Sequence, residues 1–71
     1  MAYSLFDVIQ LTVDMPEENL LAGMFGTIVH IFEKPQITYE VEFCDDDGQT
    51  IAQLTLTAEQ LLVTATPWVS K

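Results

Sequence analysis

Asp45-Asp46-Asp47, followed by Gly48, is the densest group of potential ligands in this sequence. Carboxylate oxygens suit a hard cation such as calcium. The spacing rejects the known loop, because Gly48 at its sixth position puts Phe43 at the first and Leu54 at the twelfth, where carboxylates are required. The run reads instead as a hairpin tip, in which aspartate favours the turn and Gly48 takes a positive φ. Glu40 and Glu42 precede it on alternate positions, so that with Asp45, Asp46 and Asp47 they form a patch of one sign. Such a patch can steer and hold a basic protein surface. Acid on an exposed strand face also keeps a small sheet from aggregating. A second acidic group comprises Asp14, Glu17 and Glu18.

Other reactive side chains are isolated. His30 lies between Val29 and Ile31, and alternation turns it away from both, towards solvent, with no serine or cysteine motif to complete a nucleophilic site. Cys44 follows two acidic positions, and negative surroundings disfavour a thiolate, the opposite of what a nucleophile needs. No Cys and His spacing matches a structural zinc site, so no metal or cofactor is expected. Met15, Met24 and Phe25 around the first long loop, and Trp68 near the C-terminus, can plug a small core or form a binding surface.

The charge balance narrows the partner. Eleven acidic residues stand against two lysines in 71 residues, a formal net charge of −9. Phosphate backbones and anionic headgroups are repelled by such a chain, so direct nucleic-acid and membrane binding are not expected and a basic protein is. With 49% hydrophobic and 18% charged residues the composition belongs to a packed fold rather than a disordered one. The length allows one domain with a thin core, and the single cysteine excludes an internal disulfide. Some apolar surface is then left over for association, including with a second copy. The N-terminal residues lack the basic start and apolar stretch of a signal peptide, and no run reaches the length of a bilayer span, so a cytoplasmic protein is expected.

The elements that must position these side chains are strands. From Asp7 to Asp14, Ile9, Leu11 and Val13 alternate with Val8, Gln10 and Thr12, the period of a half-buried strand. Pro16 stops it, and the segment to Gly23 accommodates one helical turn ended by that glycine. Gly26 opens a second strand over residues 27–32, rich in β-branched and aromatic residues, which Lys34-Pro35-Gln36 ends. Ile37, Tyr39, Val41 and Phe43 then face inward while Thr38, Glu40, Glu42 and Cys44 face out. Beyond the Asp45–Gln49 turn, Ala52, Leu54 and Leu56 resume the pattern, making strands three and four a hairpin. Thr57-Ala58-Glu59-Gln60 has the spacing of a capping box before a last strand, Leu61-Leu62-Val63. The order predicts an all-β fold, a small five-stranded Src-homology-3-like barrel over residues 1–63 with one short helical turn before the last strand. Residues 64–71 form a C-terminal arm.

Several of these segments carry a resemblance: Leu5–Ile9, Leu11–Leu20, Ala22-Gly23-Met24, Gly26–Val29, Tyr39–Phe43, Asp47-Gly48 and Leu54-Thr55-Leu56, on to about Val63. Together they resemble a bacterial family, common in cyanobacteria, of small acidic proteins known only as a domain of unknown function. The resemblance implies a small barrel often encoded beside a short protein read as a toxin, and hence an antitoxin-like role. The Gly23–Ile31 stretch also looks like the glycine-centred turn of barrels in ribosomal and transcription proteins, which bind RNA through basic loops. Here the loops carry Asp14, Glu17, Glu18 and Asp45 to Asp47, so that function does not transfer.

The expectation is a non-enzymatic interaction module, an antitoxin or immunity-like partner of a basic protein, its contacts drawn from Glu40, Glu42, Asp45, Asp46, Asp47, Asp14, Glu17, Glu18 and Trp68. The alternative is a structural accessory or homo-oligomeric barrel attached to a larger enzyme or assembly.

Overall fold

The computed structural model describes residues 3–63. The expected C-terminal arm and Trp68 lie outside the described residues. Five strands, β1 (Val8–Leu11), β2 (Phe25–Phe32), β3 (Thr38–Cys44), β4 (Thr50–Leu56) and β5 (Leu61–Val63), form one antiparallel sheet in the order β4-β3-β2-β1-β5. The sheet curls into an all-β half-barrel, consistent with the small Src-homology-3-like barrel expected from the strand order. Between β4 and β5 the described residues form no ladder; a 3-10 turn, Ala58–Gln60, spans that gap.

Curling lets one sheet fill its own core. Ile9 and Leu11 of β1, Ile28 of β2, Tyr39, Val41 and Phe43 of β3, Leu56 and Leu61 are all buried, with Leu20 supplied by the first loop. Two irregularities bend the sheet. Val29 is an extra residue between the Ile28↔Val41 and His30↔Glu40 pairs, and Ile51 is extra between Phe43↔Ala52 and Cys44↔Thr50. Each is a bulge, which adds local twist and kinks the strand. Gly26 allows the closest approach, since a Cβ there would lie 2.7 Å from Val41 Cγ1 and 2.8 Å from Phe43 Cε2.

Several strand and loop limits differ from the periodic reading. β1 stops at Leu11, and the last bonds to its neighbours run from the Leu11 amide to the Met24 carbonyl and from the Thr12 amide to the Gln60 carbonyl; Val13 beyond them is 41% exposed. Ile37 likewise precedes β3 and is 54% exposed, so the inward row begins at Tyr39. The turn in the first loop is three residues of 3-10 helix, Pro16–Glu18, and it ends at Asn19, not Gly23. Asn19 takes the left-handed conformation at φ 61, which asparagine tolerates, and its amide donates to the Pro16 carbonyl. Paired backbone bonds between Met15 and Leu20 then aim Leu20 into the core. Met15 and Met24 pack against that core as plugs, whereas Phe25 is exposed.

The second 3-10 turn matches expectation closely. Gln60 Oε1 accepts from the Thr57 amide at 2.9 Å, the returning arm of the capping box. Thr12 fastens this turn to the end of β1 through its amide to the Gln60 carbonyl and its hydroxyl to the Glu59 carbonyl, 3.0 and 2.9 Å.

Replacing Gly26 with alanine should destabilise the protein by about 1–3 kcal/mol, because the new methyl group meets two core side chains with little room to move. Equilibrium urea unfolding measures this. A loss no greater than that of an exposed strand substitution such as His30→Ala would show that β2 and β3 are not held at this separation.

Candidate functional site

Antiparallel pairing sets the outward face of the β2–β3–β4 region. Thr27, Glu42 and Gln53 are aligned across three strands, and His30, Glu40 and Thr55 form a second row. Both glutamates are half-buried and held by the neighbouring strand. Glu40 accepts from the Thr55 hydroxyl at 2.8 Å and from the Gln53 side-chain amide at 3.1 Å, while Glu42 accepts from the Thr50 hydroxyl. Their carboxylates are thereby fixed in place while keeping their charge, since hydroxyl and amide donors neutralise nothing.

At the hairpin tip the three aspartates divide. Asp45 Oδ1 accepts from the backbone amides of Asp47 and Gln49, both at 2.9 Å, and the Asp45 carbonyl accepts from Gly48, whose φ is 82°. Asp45 is therefore the residue that builds the turn. Asp46 and Asp47 are exposed on it, and no side-chain bond of theirs is formed among the described residues.

The first loop shows the same division. Asp14 Oδ1 accepts from the Ala22 amide at 2.8 Å and clamps the loop, whereas Glu17 and Glu18 point outward from the first 3-10 turn. In the antiparallel order this loop and the Asp45–Gln49 tip leave the sheet at the same end, on either side of the neighbouring β2 start and β3 finish. That end is acidic on both flanks. Between them lies a shallow hollow lined by Val8, Phe25, Gly26, Thr27, Glu42 and Cys44. Val8, Phe25 and Gly26 make part of its lining apolar, and Glu42 is its one carboxylate.

Of the expected contacts, then, Glu17, Glu18, Asp46 and Asp47 are free to meet a partner. Glu40 and Glu42 form a fixed ladder, and Asp14 and Asp45 hold backbone. Trp68 lies outside the described residues. Gln53, Thr50 and Thr55 were not among the expected site residues: counting back from the hairpin tip places Thr50 opposite Cys44, but only the bulge at Ile51 brings Gln53 and Thr55, rather than Ala52 and Leu54, opposite Glu42 and Glu40. His30 is exposed as expected, its ring edge-on to Phe32 with centroids 4.6 Å apart. Cys44 is a free, exposed thiol. Among the described residues no three His, Cys, Asp or Glu side chains are grouped to hold a metal ion, and no helix is long and apolar enough to cross a membrane.

The two kinds of aspartate should separate in mutagenesis. Asp45→Ala removes both amide bonds and should cost about 1–2 kcal/mol, a fall in Tm of roughly 4–8 °C per kcal/mol in a domain of this size. Asp46→Ala should leave Tm unchanged or raise it slightly by relieving repulsion. Thermal unfolding followed by circular dichroism distinguishes them, and equal losses at both positions would contradict the assignment.

Comparison with known proteins adds a family without adding an activity. No curated protein and no solved structure matches the chain. Residues 5–63 match the model of a family described as a domain of unknown function, DUF4926. That span takes in all five strands, both 3-10 turns and both acidic groups. The chain belongs to the DUF4926 family.

Proposed function

We propose that this protein is a non-enzymatic interaction module of the cytoplasm that binds a basic protein, in the manner of an antitoxin covering a toxin. The observation that carries the reading is the state of its carboxylates. Among the described residues none is in an ion pair; those with partners accept from hydroxyl or amide groups, and Glu17, Glu18, Asp46 and Asp47 have no side-chain partner. The eleven carboxylates therefore lack a neighbouring cation among the described residues, in a chain of net charge −9. Self-repulsion of that size works against a compact state, and a cationic partner removes it. A toxin that acts on nucleic acid carries such a cationic surface, so masking it with an acidic barrel blocks its substrate by occupying the same ground.

The decisive experiment co-expresses the protein with the product of the adjacent reading frame. The expected result is relief of growth inhibition and a stable complex by size-exclusion chromatography. Association should slow with added salt, and slow further when Glu17, Glu18, Asp46 and Asp47 are together changed to lysine. Growth inhibition that is unrelieved, with no complex formed at low salt, would overturn the reading.

A further inference from the structure

The half-barrel ends on one side in β4, and among the described residues none of the usual protections of an exposed edge is present there apart from one bulge. Thr50–Leu56 contains no charged residue and no proline, and no backbone bond joins it to anything but β3 among the described residues. Natural edge strands are blunted by lysine, proline, bulges or cover. The bulge at Ile51 distorts only the beginning, leaving Ala52–Leu56 in unbroken register with β3. Along this stretch the two faces differ. Inward, Ala52 and Leu54 are packed against the core yet only half-buried, so the described residues leave the core incompletely covered along this side. Outward lie Gln53 and Thr55, and behind them the fixed carboxylates of Glu40 and Glu42.

We propose that Ala52–Leu56 is a strand-addition site whose occupant is an extended segment of a basic protein, alternating apolar residues with lysine or arginine. This rests on the basic-partner reading above and specifies how the partner is held. An added strand would lie about 4.8 Å from β4 and roughly 9.6 Å from β3, a distance that a lysine or arginine stem crosses while lying along Gln53 or Thr55. Its outward cations would meet Glu40 and Glu42, and its inward apolar side chains would cover Ala52 and Leu54. Backbone bonds supply the affinity and the alternation supplies the selectivity. The same glutamates discourage a second copy, since pairing two β4 edges would bring the glutamate ladders of two chains, each of net charge −9, to one sheet face.

The test uses the full chain and a synthetic acetylated, amidated peptide of alternating valine and lysine, long enough to span Ala52–Leu56. Amide hydrogen exchange by NMR should show protection at alternate β4 amides on peptide addition. A peptide of the same composition in block order, and one N-methylated at its pairing amides, should each bind at least several-fold more weakly. Glu40→Gln with Glu42→Gln keeps acceptors for Thr55 and Thr50 and should weaken the alternating peptide by roughly threefold or more, the worth of two exposed ion pairs. Equal binding of block and alternating peptides, or perturbation confined to Glu17, Glu18, Asp46 and Asp47, would overturn the β4 site while leaving the basic-partner reading intact. Concentration-dependent protection of β4 without peptide would overturn it in favour of a second copy. Protection lost on deleting residues 64–71 would overturn it in favour of the chain's own end.

Discussion

A core built from one face of one sheet requires that sheet to fold back on itself, and the contact between Gly26 and the β3 side chains Val41 and Phe43 sets how tightly it does so. The missing side chain at residue 26 lets the largest fully buried side chain, Phe43, lie beneath β2. The bulges at Val29 and Ile51 supply the bend on either side. Everything else follows from that curvature. Leu56 and Leu61, separated by a 3-10 turn, reach the same core as Ile9 and Leu11, and Thr12 ties the turn down. With no disulfide among the described residues and so few to bury, this geometry leaves little reserve of stability.

The outward face obeys the same constraint from the other side. Because Val41 and Phe43 must point in, Glu40 and Glu42 must point out, next to whatever β4 offers. It offers a hydroxyl or a carboxamide opposite each of them. Like-charge neighbours two residues apart on a strand would ordinarily repel and splay; here each is oriented by donors on the adjacent strand, at 2.8 and 3.1 Å for Glu40. Charge is retained and rotamer freedom is lost. A carboxylate ordered in advance gives up less entropy on meeting a cation than one swinging on a loop, so the ladder is better prepared for binding than the more numerous loop acids.

Much of this was legible in the residue order, for definable reasons. The inward row of Tyr39, Val41 and Phe43 was clear because β3 is paired along both edges and has one face on the core and the other outward, which makes period two unambiguous. Turn chemistry identified the Asp45–Gln49 tip and the Gln60 arm of the capping box, since both are satisfied within a few residues. Period failed at Val13 and Ile37, where an apolar residue keeps the alternation but its strand partner has already turned away. No local pattern marks the end of the first 3-10 turn at Asn19, because either Asn19 or Gly23 could supply the left-handed residue. The bulges were equally hidden, being properties of a pair of strands rather than of one. Among the acidic residues, sequence grouped Asp45 with Asp46 and Asp47; only the backbone amides around Asp45 separate the one that builds the turn from the two that face solvent.

The acid ladder and the open edge beside it are best understood together. A small half-barrel whose edge strand is regular over Ala52–Leu56 and unpaired beyond β3 among the described residues needs some defence against pairing with its own copies, and lysine on the edge is the common solution. This chain has two lysines in all, and neither is in β4. On the strand-addition proposal, fixed glutamates one strand further in would serve the same end by repelling an identical, strongly acidic edge. The two devices differ in what they admit. An edge lysine blocks every incoming strand by its own bulk and desolvation, whereas a recessed carboxylate blocks only strands of its own sign and attracts those of the opposite one. A protein that needed only to remain monomeric would gain no more from the second arrangement than from the first. One that must stay apart from itself while holding a cationic chain gains both from the same two side chains.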